Sequence, residues 1–396
     1  MNQSLPSLPN FIHGLQLLLQ RVQMDDQQYF PGLEGVIAGE TAVSTVEGSL
    51  QYRGYSIEEL AQSATFLETA YLLLYGELPN HEHLADFQSI VSECAEVDPS
   101  ILRFFGEIPM HVGGMDALRT GISALGNFDP QADEEGRDAN IAKAIRLLAQ
   151  IPILIAARYR QSRGLPLVEP DPQLSYAGNL LRLITGKEPS ALDEKAMDVS
   201  LILYAEHEFN ASTFTARVVT STQSDLYSAV SAAVGALKGP LHGGANERVM
   251  EVLQEVGSAK NAEAWVRDAL SKKRRIMGFG HRVYKTGDPR ADVLKTYCAQ
   301  LAREAGDGEL EEIADTIEAI VRSEKGLPPN LDWPSARLYH YLGLEVELYT
   351  PLFVASRVVG WAAHIIEQAE NNRLIRPRSR YIGPEPRTFV PLSNRG

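Results

Sequence analysis

Cysteine is scarce: Cys94 and Cys298 are the only two in 396 residues. Far apart in sequence, they exclude a disulfide framework and a cysteine-built metal site, and both are expected to be buried thiols. No apolar run reads as long enough to cross a bilayer. The start, MNQSLPSLPNFIHGLQ, has none of the charged, apolar, then small-residue order of an export signal. The expectation is a cytoplasmic protein. Positive charge is also in deficit, with a formal net charge of −14, which argues against a nucleic-acid partner and against attraction to anionic lipid. Strand signals are few, and neither an internal repeat nor a low-complexity tract is visible.

What is present is helical periodicity over a chain that is 44% apolar, too long for one ordinary core, so a large and a small domain are expected. Leu226, Ala229, Val230, Ala233, Val234 and Leu237 fall on one helical stripe that ends at Gly239-Pro240. Small residues on its other faces (Ser228, Ser231, Ala232, Gly235, Ala236) suit close approach by another helix, in the core or between subunits. Residues 57–74, 142–157 and 352–366 also read as helices, the last with Thr350 as N-cap and Pro351 as first helical residue. Residues 33–37 and 49–52 are the strand candidates, short enough for a minor N-terminal β-hairpin. The polar, acidic stretch 126–137 reads as a surface connection. The class is all-α.

The cations are unevenly spread: 23 of the 37 Lys and Arg lie from Lys238 onward, which suits a small or medium-sized anionic ligand as well as a solvated basic face. Three segments there carry chemistry. In Gly239-Pro-Leu-His-Gly-Gly-Ala-Asn-Glu247, His242 sits just before a helix whose stripe runs through Val249, Met250, Leu253 and Val256. The positive helix end disfavours imidazolium, so a neutral hydrogen-bond donor is expected, where an isolated histidine beside glycines would be only a turn residue. In Gly278-Phe-Gly-His-Arg-Val-Tyr-Lys-Thr-Gly-Asp-Pro-Arg290, Asp288 caps a helix with Pro289 first. Arg290 then lies in the first turn, where N–H groups and a guanidinium fork hold a carboxylate, and His281 can donate to a neighbouring carbonyl. The sequence GFGH is not GxGxxG and no strand precedes it, which excludes a dinucleotide loop. In Lys325-Gly-Leu-Pro-Pro-Asn-Leu-Asp-Trp-Pro-Ser335, Asp332 precedes a helix, either as a cap alone or as an anion ready to take a proton.

Together LHGGANE, GFGHRVYKTGDPRA, PNLDW, SRVVGWAAHIIEQ with IRPRSRYIGPE, and the upstream EHEFNASTF resemble the ordered motifs of the citrate synthase family over residues 32–391. The resemblance implies an α-helical homodimer with a large domain from residues 1–242 and 338–396 and a small inserted domain, 243–337, the site lying in the cleft between them. It implies condensation of acetyl-CoA with oxaloacetate and hydrolysis of the thioester, with no metal and no cofactor beyond the CoA substrate. Asp332 matches the base that removes the methyl proton, His242 the donor to the enol oxygen, and His281 the group that polarises the oxaloacetate ketone. His207 matches a further donor to oxaloacetate, and Arg290, Arg357 and Arg376 its carboxylate clamps, Arg376 coming from the partner subunit. Lys285, Lys325 and Arg282 match positions near the CoA phosphates. The run 272–275 is either a helper there or a solvated helix end, and Arg53 is either structural or a CoA contact.

Within the family, EHEFNASTF and Trp333 resemble the branch that makes 2-methylcitrate from propionyl-CoA, and one methylene is worth only about 1–3 kcal/mol of discrimination. Citrate formation is the leading expectation. A serine hydrolase is excluded by the absence of a Gly-x-Ser-x-Gly elbow. A zinc protease is excluded because position 211, where HExxH would need its second histidine, is alanine. A non-catalytic helical scaffold is the remaining alternative. His340 and His364 read as packing or surface residues and Trp361 as core.

Overall fold

The computed structural model describes residues 29–281, 283–284 and 287–395. They divide into two compact units, with the chain boundary between Thr41 and Ala42. In the first, the expected strand at 33–37 is replaced by a 3-10 turn, Pro31–Leu33. Pro31 brings no N–H to a ladder, and Gly32 and Leu33 adopt φ of +66° and +57°, which turns the chain instead of extending it.

The second unit opens with a small antiparallel sheet, β1 (Ser44–Thr45), β2 (Gln51–Tyr52) and β3 (Tyr55–Ser56), in that order. Only the 49–52 candidate overlaps a strand. Val43, Leu50 and Tyr52 are fully buried, and this inward set fixes the register.

Sixteen α-helices follow among the described residues, as the all-α reading requires. The expected helix at 57–74 is two, α1 (Ile57–Ser63) and α2 (Phe66–Tyr75). Thr65 breaks it by forming a capping box with Glu68, which satisfies N–H groups that a continuous helix would use internally. Then come α3 (His81–Glu93), α4 (Pro99–Glu107), α5 (Gly114–Phe128) and α6 (Arg137–Ser162). Contrary to the sequence reading, α6 is long and apolar enough to cross a membrane, but 67% of its apolar window is buried inside the protein. Pro152 inside α6 leaves the Leu148 carbonyl without its helical donor, and the Tyr176 hydroxyl supplies one at 2.9 Å.

The site is framed by α7 (Tyr176–Thr185), α8 (Ala191–Tyr204), α9 (Ala211–Thr220), α10 (Leu226–Leu237) and α11 (Ala245–Val256). After them come α12 (Ala259–Ser271), α13 (Pro289–Ala305), α14 (Glu309–Lys325), α15 (Asp332–Tyr341) and α16 (Tyr349–Glu370). The stripe predicted on α10 is buried throughout. Helix α16 starts earlier than expected, with Leu348 as N-cap, because Thr350 is engaged by Glu247, its amide at 3.3 Å. Gly360 lets α16 lie against the 205–206 turn: a Cβ there would stand 2.2 Å from the Ala205 carbonyl oxygen and 2.4 Å from Glu206 Oε2. Cys298 is buried as expected, while Cys94 is only half-buried.

Candidate active site

The cluster is organised by the C-terminal end of α8. A helix leaves its last four carbonyls without partners, and their negative end attracts cations. Here the Ser356 hydroxyl serves Leu201 and the Tyr52 hydroxyl serves Ile202 at 3.1 Å. Arg290 Nη1 reaches Leu203 at 3.4 Å, and Arg357 Nε donates to Tyr204 at 2.7 Å. Two of the three predicted carboxylate clamps are therefore anchored, almost fully buried, on one helix end. Arg290 is further gripped by Asp288, whose Oδ1 and Oδ2 accept from Nε at 2.9 Å and Nη2 at 2.8 Å. Burial works against the Arg290 charge, but Asp288 outweighs it and raises the guanidinium above its ordinary range. Arg357 goes the other way, because burial dominates.

Asp288 caps α13 as predicted and also accepts from the Leu331 amide at 3.1 Å. The second and third segments are zipped together by this bond and three more. Gly280 N donates to Pro328 O at 2.8 Å, Asn330 N to Gly278 O at 2.9 Å, and Asn330 Nδ2 to Gly280 O at 2.9 Å. Gly278 has φ +88° and faces Trp333 and Val249, where a Cβ would meet the Trp333 ring at 2.9 Å. The two loops can meet only with glycine there. His281 and Asp332 thus stand on one platform.

Hydrogen bonds assign the histidine protons. His281 Nδ1 accepts from the amides of Val283 at 3.1 Å and Tyr284 at 3.3 Å, so a neutral ring carries its proton on Nε2, the donor a ketone needs. His242 Nε2 accepts from the Ser212 amide at 3.3 Å and lies 2.8 Å from its hydroxyl, which puts the His242 proton on Nδ1. Ser212 is in turn held by Trp361 Nε1, donating to its hydroxyl at 3.1 Å, and by Asn210 Oδ1 at 2.8 Å. His242 is neutral, as the sequence suggested, but the chief cause is different. Burial, helped by the charge of Arg357, lowers it to about 4, and the N-cap of α11 is Gly244, two residues on.

Asp332 corrects the sequence reading. It is the first residue of α15, with Leu331 as N-cap, and it is not an anion made strong by the helix end. Burial pushes its carboxyl up to about 6, against the opposing effects of the Tyr204 hydroxyl and Arg290. That Tyr204 hydroxyl donates to Asp332 Oδ1 at 2.9 Å. The Phe353 ring joins the two halves of the cluster, 4.5 Å from the Tyr204 ring, 6.2 Å from His242 and 4.7 Å from the Arg357 guanidinium carbon.

His207 faces His281, with ring centroids 5.0 Å apart, and its Nε2 lies 3.0 Å from the Tyr284 hydroxyl. Burial, then the charges of Arg290, His281 and Arg357, hold His207 well below its usual range. The structure therefore brings together His242, His281, Asp332, His207, Arg290 and Arg357. Arg376 lies exposed on the extended segment after α16, and Lys325 is exposed at the last residue of α14. Arg282 and Lys285 fall outside the described residues. Of the run 272–275, Lys272 pairs with Asp268 and Arg274 with Glu255. Arg53 donates to the Leu73 carbonyl at 2.9 Å.

Sequence reasoning missed Tyr204, Tyr284, Phe353 and Ser212. Ser212, inside EHEFNASTF, and Tyr284, inside GFGHRVYKTGDPRA, carried a signal. His364 is a packing residue, fully buried between Glu206 at 2.9 Å and Arg217 at 3.0 Å, whereas His340 is exposed. Trp361 is core. Among the described residues no three His, Cys, Asp or Glu side chains gather as a metal site.

The family profile described as "Citrate synthase, C-terminal domain" matches residues 32–378. "Citrate synthase 2" of Bacillus subtilis is 49% identical over 366 residues, 92% of this chain and 98% of that protein. "2-methylcitrate synthase" of Shewanella oneidensis is 45% identical over 368 residues, 92% of this chain and 97% of that protein. The crystal structure of citrate synthase from Pyrobaculum aerophilum superposes with TM-score 0.87 at 39% identity, over 93% of this chain and 95% of that one. Citrate synthase from Thermoplasma acidophilum, solved as a ternary complex with carboxymethyl coenzyme A and oxaloacetate, gives TM-score 0.87 at 34% identity, over 93% and 100% of the two chains.

Proposed function

The chain belongs to the citrate synthase family and is an acyltransferase, and from that premise we propose that it condenses acetyl-CoA with oxaloacetate, releasing citrate and CoA. The observation that carries this is the division of one cluster into two halves around the end of α8. Asp332 and His242 form the half for the acyl donor. His281, His207, Arg290 and Arg357 form the half for a dicarboxylate ketone.

The chemistry requires both halves. A thioester methyl group is a very weak acid, so its proton leaves only while charge on the oxygen is neutralised. Asp332 takes the proton, and the His242 Nδ1–H donates to the thioester oxygen as the enol forms. The enol carbon then bonds to the ketone carbon of oxaloacetate. As that C–C bond forms the ketone C=O π bond breaks, and the oxygen, held by His281, takes the Nε2 proton and stays on its carbon as the hydroxyl of citryl-CoA. Water hydrolyses that thioester to citrate and CoA. Bidentate arginine forks suit the oxaloacetate carboxylates better than lysine, since they fix orientation as well as charge.

The Thermoplasma relative binds a CoA thioether and oxaloacetate together, which supports the same pair of sites here. On this reading residues 243–337 form the small domain that closes over the substrates, supported by the packing of α13 on α15 and of α12 on α14. Lys325, with Lys285 and Arg282, serves CoA. A homodimer in the cytoplasm supplies Arg376 from the partner subunit, and no metal takes part.

A second reading, 2-methylcitrate formation from propionyl-CoA, is favoured by relatives of that name at 44–46% identity. Trp333 carries less of this reading than its sequence position suggested, because its ring is buried against Phe279 at 4.5 Å. Comparing kcat/KM for acetyl-CoA and propionyl-CoA at saturating oxaloacetate, by thiol release, separates the two. The expected preference is for acetyl-CoA, and a propionyl preference overturns it.

A further inference from the structure

Among the described residues, the side chain from outside its own helix and flanking loop that hydrogen-bonds the Asp332 carboxylate belongs to the last residue of α8. Tyr204 is 2% exposed. Its hydroxyl lies 2.9 Å from Asp332 Oδ1 and 2.7 Å from Ser335 Oγ. A phenol has one proton and an ionised carboxylate has none, so the bond to Oδ1 is donated by Tyr204. Ser335 directs its own proton to the Tyr204 oxygen or to the Asp332 carbonyl, 3.2 Å away. Burial, reinforced by the charge of Asp332, raises the phenol well above its usual range, so it remains a donor at every working pH. The same residue's carbonyl holds Arg357 at 2.7 Å. One residue therefore touches the base through its side chain and a carboxylate clamp through its backbone.

We propose that Tyr204 is a positioning residue for the acyl half of the reaction: its hydroxyl commits Asp332 Oδ1 and leaves Oδ2 as the atom that takes the proton from the acyl-CoA. The inference rests on the reading of Asp332 as the base. Without the phenol the carboxylate can turn about its Cβ–Cγ bond and present either oxygen. Its distance from the bound thioester is then no longer fixed by α8, on which Arg290 and Arg357 are also anchored. Proton transfer is sensitive to such misplacement on a scale near 1 Å.

The test is Tyr204→Phe, which keeps the ring on Phe353 and removes only the hydroxyl. The acid limb of kcat/KM for acyl-CoA should move up by about one to two pH units, the effect of losing one hydrogen bond to a charged acceptor. kcat should fall roughly ten- to a hundredfold, with the oxaloacetate Kd unchanged. An acid limb left in place overturns the proposal, whether kcat falls or not. Ser335→Ala keeps the phenol–carboxylate bond and should leave the acid limb where it is. An equal shift in that variant would assign the effect to general loosening and also overturn the proposal. Asp332→Ala separates the two levels: turnover in that variant removes the base reading itself, while its inactivity beside an unmoved Tyr204→Phe limb removes only the role of Tyr204.

Discussion

His207 Nε2 and the Tyr284 hydroxyl lie 3.0 Å apart with their rings at 88°, in the half of the site assigned to oxaloacetate. The Tyr284 ring is also 4.6 Å from His281, and the Arg290 guanidinium carbon stands 5.9 Å from it. Three groups expected to hold the substrate are thus engaged by one tyrosine. Oxaloacetate must replace the Tyr284 hydroxyl at His207 to use it. Tyr284→Phe should therefore lower the oxaloacetate Kd by roughly two- to tenfold, the worth of one neutral hydrogen bond, as read by calorimetry, with the KM for acyl-CoA unchanged.

Asp332 makes stability depend on pH in a definite direction. Its carboxyl is raised to about 6 in the folded chain, above the unfolded value of about 3.9. The folded state therefore binds the proton more tightly, and this group's contribution to stability declines as pH rises from about 4 to about 6. Asp332→Asn removes that cost. It should be more stable than wild type by about 3 kcal/mol at pH 8 and converge with it below about pH 3, measured by urea unfolding, while losing activity.

Ser212 holds His242 in the tautomer that donates from Nδ1. Ser212→Ala keeps the amide contact but loses the hydroxyl and its links to Trp361 and Asn210. Its kcat should fall about tenfold at saturating oxaloacetate, with the oxaloacetate Kd preserved.

Glu206 is a fully buried carboxylate between the Ser44 hydroxyl at 3.0 Å and His364 at 2.9 Å. Burial alone would raise it, but His364 and Arg357 outweigh that and hold it below the ordinary range. Glu206→Ala leaves Arg357 without its buried counter-charge and should cost about 3–5 kcal/mol of stability, with Glu206→Gln recovering part of it in chemical denaturation.

These relationships mark how far the sequence could be read. The helix on 226–237, its buried stripe and the Asp288-Pro289 start of α13 were legible because periodicity and capping act within a few residues. The 57–74 helix was misread as continuous because Thr65 breaks it through a capping box that competes with the apolar pattern. The hairpin was misplaced because a turn at Gly32 and Leu33 outweighed local β propensity.

At the site, His242, His281, Asp332, His207, Arg290 and Arg357 were found because each sits in a motif. Tyr204 and Phe353 were not, because their roles come from α8, α15 and α16 meeting in space. The direction of the Asp332 pKa shift was misjudged for a related reason: a helix end is visible in sequence, whereas burial depends on the whole fold.

The most direct measurement is CoA thiol release by wild type and Asp332→Ala enzyme with acetyl-CoA and saturating oxaloacetate, each folded by circular dichroism. The wild type should turn over and the variant should fall by roughly a thousandfold or more, since the proton acceptor is gone. Thiol release by Asp332→Ala at the wild-type rate would contradict the account.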